Sequence, residues 1–74
     1  MANPLQERLA EILLDTISRD PYPSSTHMDM FESFAPLDLQ VRYALVLMDR
    51  IQSDYPNPSI PMMRRVQRLV TSLG

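Results

Sequence analysis

Apolar residues recur at helical spacing in four stretches of the chain, and this pattern predicts four α-helices. The stretches cover residues 4–19, 25–35, 38–53 and about 60–73. Residues three and four positions apart share a helical face. In the first stretch this spacing predicts a buried face made of Leu5, Leu9, Ile12, Leu13 and Ile17.

Proline and capping residues set the ends of these helices. The Pro-rich segments at residues 20–23 and 54–58 follow the first and third helices. They are expected to end those helices, because a proline disfavours helical geometry in the residue before it. Short polar side chains cap helix N-termini. The expected caps of the first three helices are Asn3, either Ser24 or Ser25, and Asp38.

The first and third predicted helices carry two copies of one sequence. Residues 5–20 and 39–54 are identical at eight of sixteen positions, where chance would give roughly one. A repeat of this kind usually marks a unit that cannot bury its apolar face alone. We therefore predict an all-α, compact four-helix domain over residues 1–74. Its two tandem units of about 34 residues, each a helix, a Pro-rich turn and a helix, cover residues 4–36 and 38–73.

The third helix has a second apolar side that the first helix lacks. Val41 and Leu45 replace Glu7 and Glu11, and Met48 extends the stripe that they begin. The simpler hypothesis is that this helix is central and buried on two sides. The alternative is that the three side chains form a surface for a second copy or another protein, because an exposed stripe is unusual on a monomer.

Two methionines and two tyrosines are further candidates for partner contact. Met30 and Met62 flank the predicted apolar faces and are expected to be exposed, and methionine suits adaptable binding surfaces. Tyr22 and Tyr55 lie at equivalent places in the two Pro-rich segments. A tyrosine ring makes a rigid amphipathic contact, but the simpler hypothesis packs each ring against its own helical hairpin.

The charges are unevenly distributed in this small acidic protein of net charge −2. All nine acids lie in residues 1–54, whereas residues 55–74 carry three arginines and no acid. Arg64, Arg65 and Arg68 lie on the fourth helix, where they could contact phosphates. The simpler hypothesis is that they form surface ion pairs with acids of the first or third helix, because nucleic-acid-binding domains are usually basic.

Catalytic and metal-binding patterns are missing from the sequence. It has no cysteine and one histidine, His27, so thiolate and histidine-rich metal sites are not expected. Nucleophilic catalysis needs a nucleophile, a base and an orienting group, and His27 has no such set at a recognisable spacing. The acids of the first helix form a solvated row, in which Asp15 is placed to pair with Arg19. We expect no enzyme activity, cofactor, metal or small-molecule substrate.

The size of the chain favours association. Seventy-four residues bury too little surface for a stable core without a disulfide, a metal or a partner. No apolar run approaches the roughly 20 residues that span a membrane, and no signal-peptide pattern opens the chain. We therefore expect a cytoplasmic, non-enzymatic protein–protein interaction or assembly module, either an accessory subunit or a homo-oligomer. The alternative is a nucleic-acid-associated regulator that contacts phosphates through its C-terminal helix.

Overall fold

The fold consists of four α-helices. The computed structural model describes residues 3–54 and 59–74, and within these ranges it contains no strand. The helices are α1 (Pro4–Arg19), α2 (Ser25–Phe34), α3 (Leu37–Ser53) and α4 (Ile60–Leu73). The all-α, four-helix prediction is confirmed, with boundaries within one residue of those expected. Residues 55–58 of the second Pro-rich segment, which include Tyr55, lie outside the described residues.

Side-chain caps begin α1 and α2 where the sequence predicts them. The Asn3 Oδ1 atom accepts the Gln6 N–H at 2.8 Å, and Gln6 Oε1 accepts the Asn3 N–H at 3.3 Å. This reciprocal capping box satisfies backbone groups that a helix end otherwise leaves unpaired. Of the two serines considered for α2, Ser24 is the cap, and its Oγ accepts the N–H groups of Thr26 and His27.

The start of α3 differs from the prediction. Pro36 holds Ala35 in an extended conformation, with φ −65° and ψ 142°, and this ends α2. The carbonyl of Pro36 then accepts the N–H of Gln40 at 3.0 Å, which closes the first turn of α3. Asp38 therefore lies inside that turn, so the prediction that it caps the helix is wrong. Its carboxylate still suits the positive end of the helix dipole.

The chain divides into two compact units, Met1–Gln40 and Val41–Gly74. In the first unit α1 packs against α2. The buried residues of that unit are Ala10, Leu13, Leu14, Ile17, Met28, Phe31, Ala35 and Leu39. The second unit contains the remainder of α3 and α4, and its buried residues are Tyr43, Ala44, Leu47, Val66 and Leu69. Every buried residue in the described ranges is hydrophobic.

The buried face of α1 is only partly the predicted one. Leu13 and Ile17 are buried as expected, but Leu5, Leu9 and Ile12 are exposed, Leu5 by 82%. Ala10 and Leu14 are buried in their place. Both sets of residues have helical spacing, so periodicity alone cannot choose between them.

The two repeated stretches both form helices, but their burial differs. Leu13 of α1 and its counterpart Leu47 of α3 are both buried. Leu5 is exposed, whereas its counterpart Leu39 is buried. The copies therefore share a helical conformation without sharing one pattern of burial along its length. Their organisation as tandem structural units stays a prediction.

Candidate functional site

The second apolar side of α3 lies on the surface. Tyr43 and Leu47 are fully buried. Val41, Leu45 and Met48, named here the α3 stripe, are 46%, 60% and 40% exposed. The hypothesis that α3 is buried on two sides is therefore wrong. The sequence pattern indicated these three side chains as a candidate partner surface, and the structure places them together on one exposed face.

Two opposite charges border the α3 stripe on one flank. Arg42 and Asp49 are exposed and lie seven residues apart on α3. At 3.6 residues per turn, this separation is nearly two turns, so the two side chains lie within about 20° of each other around the axis. Along the axis they are roughly 10 Å apart. The stripe is therefore an apolar strip with a cation near one end and an anion near the other.

A second exposed apolar set lies on α1, where the sequence predicted core. Leu5, Leu9 and Ile12 form this set, named here the α1 stripe. The charges beside it pair within the helix. Arg8 Nη1 lies 3.8 Å from Glu11 Oε2, and Arg19 Nε lies 3.2 Å from Asp15 Oδ1, which confirms the predicted pair. Exposed pairs of this kind add little stability.

The other predicted contact residues are placed as follows. Tyr22 is 85% exposed, so the hypothesis that its ring packs against its own hairpin is wrong. Its backbone N–H donates to Asp20 Oδ1 at 2.9 Å, which shapes the turn after α1. Met30 is exposed as expected, whereas Met62 is half-buried and Met63 is exposed instead.

The three arginines of α4 line one surface depression. Arg64, Arg65 and Arg68 surround it together with Pro61 and Gln67, and its volume is about 520 Å³. Neither Arg64 nor Arg68 forms an ion pair with a described residue of the second unit. Three guanidinium groups around one depression create a local positive potential in an otherwise acidic protein. The predicted pairing of these arginines with acids of α1 or α3 stays a prediction.

The only histidine of the sequence lies in the first turn of α2. His27 is half-buried, and its backbone N–H donates to Ser24 Oγ at 3.4 Å. Within residues 3–54 and 59–74, no three His, Cys, Asp or Glu side chains are grouped closely enough to hold a metal ion. None of the described helices combines the length and the apolar character that a membrane crossing requires.

No protein-family model, curated protein or solved structure matches this sequence. The main physical clue to function is therefore the amount of exposed apolar surface. In the described part of the chain, twelve large hydrophobic side chains are exposed and thirteen hydrophobic residues are buried. Contiguous exposed apolar patches on small proteins usually mark binding surfaces, and the α3 and α1 stripes each lie along a single helix face.

Proposed function

We propose that this chain is a non-enzymatic helical interaction module of the cytoplasm, an accessory subunit or a homo-oligomer that binds protein through the α3 stripe. The observation that supports the proposal most directly is the exposure of Val41, Leu45 and Met48 on the same helix that buries Tyr43 and Leu47. Removing apolar surface from water is favourable by roughly 25 cal/mol per Å², so burial of the stripe stabilises a complex with a partner.

Association also suits the small size of the core. A chain of 74 residues has a folding stability of only about 4–11 kcal/mol at the usual value per residue. Any protein that binds the folded form and not the unfolded one adds to that stability by mass action. A partner bound to the α3 stripe therefore also increases the fraction of the chain that is folded.

The double variant Leu45→Glu with Met48→Glu is expected to lose this binding. Burying two unpaired carboxylates costs several kcal/mol, which corresponds to at least ~100-fold weaker association. A photo-crosslinking amino acid at position 41 provides the measurement. In cells, a chain that keeps Leu45 and Met48 should form a crosslinked product with a protein, either another copy or a different chain. Mass spectrometry then identifies that protein.

The matched control for this experiment is Leu9→Glu with Ile12→Glu in the α1 stripe. These residues have the same three-residue spacing and are 46% and 47% exposed. The control variant should retain the crosslinked product, because it adds the same charge to an equally exposed apolar face. The proposal would be contradicted if the crosslinked product persisted in the α3 variant. It would also be contradicted if a chain that keeps Leu45 and Met48 formed no product.

A second candidate function is contact with nucleic-acid phosphates through α4. It is favoured by one observation, the grouping of Arg64, Arg65 and Arg68 around a single depression. Arginine is well suited to phosphate because its planar guanidinium donates two parallel hydrogen bonds. Three such contacts give weak and strongly salt-dependent binding, and the net charge of −2 opposes it.

Substituting Arg64→Ala together with Arg68→Ala tests this second candidate. Fluorescence anisotropy with a labelled duplex DNA and a labelled single-stranded RNA should show binding by the wild type at low salt. The variant should bind much more weakly, and the slope of log K against log salt should fall by about 1.8 for DNA. Arg8→Ala with Arg42→Ala removes the same charge from other helices and should have a smaller effect. A wild type that does not bind at low salt eliminates this function.

A further inference from the structure

Two of the charged residues that both copies of the repeated sequence retain lie within the helices. Arg8 and Asp15 of α1 correspond to Arg42 and Asp49 of α3. In α1 both charges pair within the helix, Arg8 with Glu11 and Asp15 with Arg19. The α1 stripe is therefore bordered by charges that already have partners.

In α3 both of these internal partners are replaced. Leu45 occupies the position that corresponds to Glu11, and Ser53 occupies the position that corresponds to Arg19. The Ser53 hydroxyl donates to the backbone carbonyl of Asp49 at 2.9 Å and not to the Asp49 carboxylate. Neither Arg42 nor Asp49 makes an ion pair within the described part of the second unit. The replacement that places Leu45 in the stripe also removes the partner of Arg42.

A twofold rotation matches each of these charges with the opposite charge on a second copy. Arg42 and Asp49 lie on one flank of the stripe, and Leu45 lies between them along the helix. A twofold axis near Leu45 makes two α3 helices antiparallel and brings equal flanks together. Each Arg42 then faces Asp49 of the other copy, so one contact forms two reciprocal ion pairs. A parallel twofold arrangement would instead place these flanks on opposite sides of the contact, so neither Arg42 nor Asp49 would face its counterpart's charge.

We infer that the partner of the α3 stripe is a second copy of this chain. The two copies meet in an antiparallel α3–α3 contact with Val41, Leu45 and Met48 at its centre. Arg42 of each copy pairs with Asp49 of the other. This inference rests on the proposed function, and it specifies the partner, the direction of the helices and the residues that set the register.

Charge exchange in the full chain tests the inference by sedimentation velocity over a concentration series. Wild type should dimerise. The single variants Arg42→Asp and Asp49→Arg each place like charges in both pairing positions, so each should dimerise about tenfold more weakly or worse. An equimolar mixture of the two single variants restores opposite charges at both positions and should associate as tightly as wild type. The double variant Arg42→Asp with Asp49→Arg should recover self-association. All four chains should show the same far-UV circular dichroism, because both residues are exposed.

Salt provides a second readout of the same pairs. At 1 M salt the screening length is about 3 Å, so the difference between wild type and the single variants should shrink. The apolar contact should persist, and Leu45→Glu should abolish dimers at low and high salt alike.

Three results would overturn the inference. They are a wild type that stays monomeric at its highest soluble concentration, a mixture that associates no better than its components, and single variants that dimerise like wild type. The proposed function has a separate test. One outcome is that the stripe crosslinks to a different protein, with that product lost in Leu45→Glu with Met48→Glu. In that case the proposed interaction module is supported, and the inference that the partner is a second copy is wrong. If the stripe crosslinks to nothing, both are wrong.

Discussion

Replacing Phe31 by alanine is expected to remove a large share of the protein's folding stability. Phe31 is fully buried on α2, the helix that packs against α1. Truncating a buried phenylalanine costs about 3–5 kcal/mol, from lost apolar burial and from the cavity that remains. A chain of this length has only about 4–11 kcal/mol of stability in total. Urea denaturation followed by far-UV circular dichroism should show a midpoint shifted far below that of the wild type.

Met30→Ala is the matched control for this experiment. Met30 precedes Phe31 on the same helix and is 44% exposed. An exposed substitution of this kind usually changes stability by less than about 0.5 kcal/mol. Comparable losses for the two variants would show that the exposed face of α2 is covered in solution, contrary to the structure.

The helix boundaries are predictable from the sequence because local chemistry sets them. The side chains of Asn3 and Ser24 bond to backbone groups two or three residues away. The one error, the cap of α3, is local too. Pro36 ends α2 and α3 begins at the next residue, so Asp38 falls inside the first turn instead of preceding it.

The buried faces are not predictable in the same way, because they depend on residues distant in the sequence. On α1, Leu9 and Leu13 both belong to sets with helical spacing, and only packing decides that Leu13 is the buried one. On α3 the pattern has two apolar sides, and the simplest hypothesis buries both. The structure covers Leu47 and leaves Leu45 exposed.

The candidate site could be predicted from the sequence only in part. The replacement of Glu11 by Leu45 between the two copies draws attention to the stripe. The possible role of Arg42 and Asp49 could not be seen there, because identical residues in two copies suggest identical surroundings. The ion pairs of α1 are what show that the surroundings differ.

The pair of variants Leu47→Ala and Leu45→Ala should separate the two sides of α3. Leu47 is fully buried, so its truncation should cost about 2–5 kcal/mol at every protein concentration. Leu45 is 60% exposed, so in the monomer its truncation should cost less than about 0.5 kcal/mol. If the α3 stripe binds a second copy, the loss for Leu45→Ala should grow as protein concentration rises, because association stabilises the wild type by mass action.

Thermal denaturation at a low and a high protein concentration distinguishes three arrangements of α3. A large, concentration-independent loss for both variants would mean that α3 is buried on two sides. A large loss for Leu47→Ala and none for Leu45→Ala at either concentration would mean that the stripe binds no second copy. Only a Leu45→Ala effect that appears at high concentration agrees with a contact between two copies, since the free energy that this leucine contributes would then exist only in the assembled state.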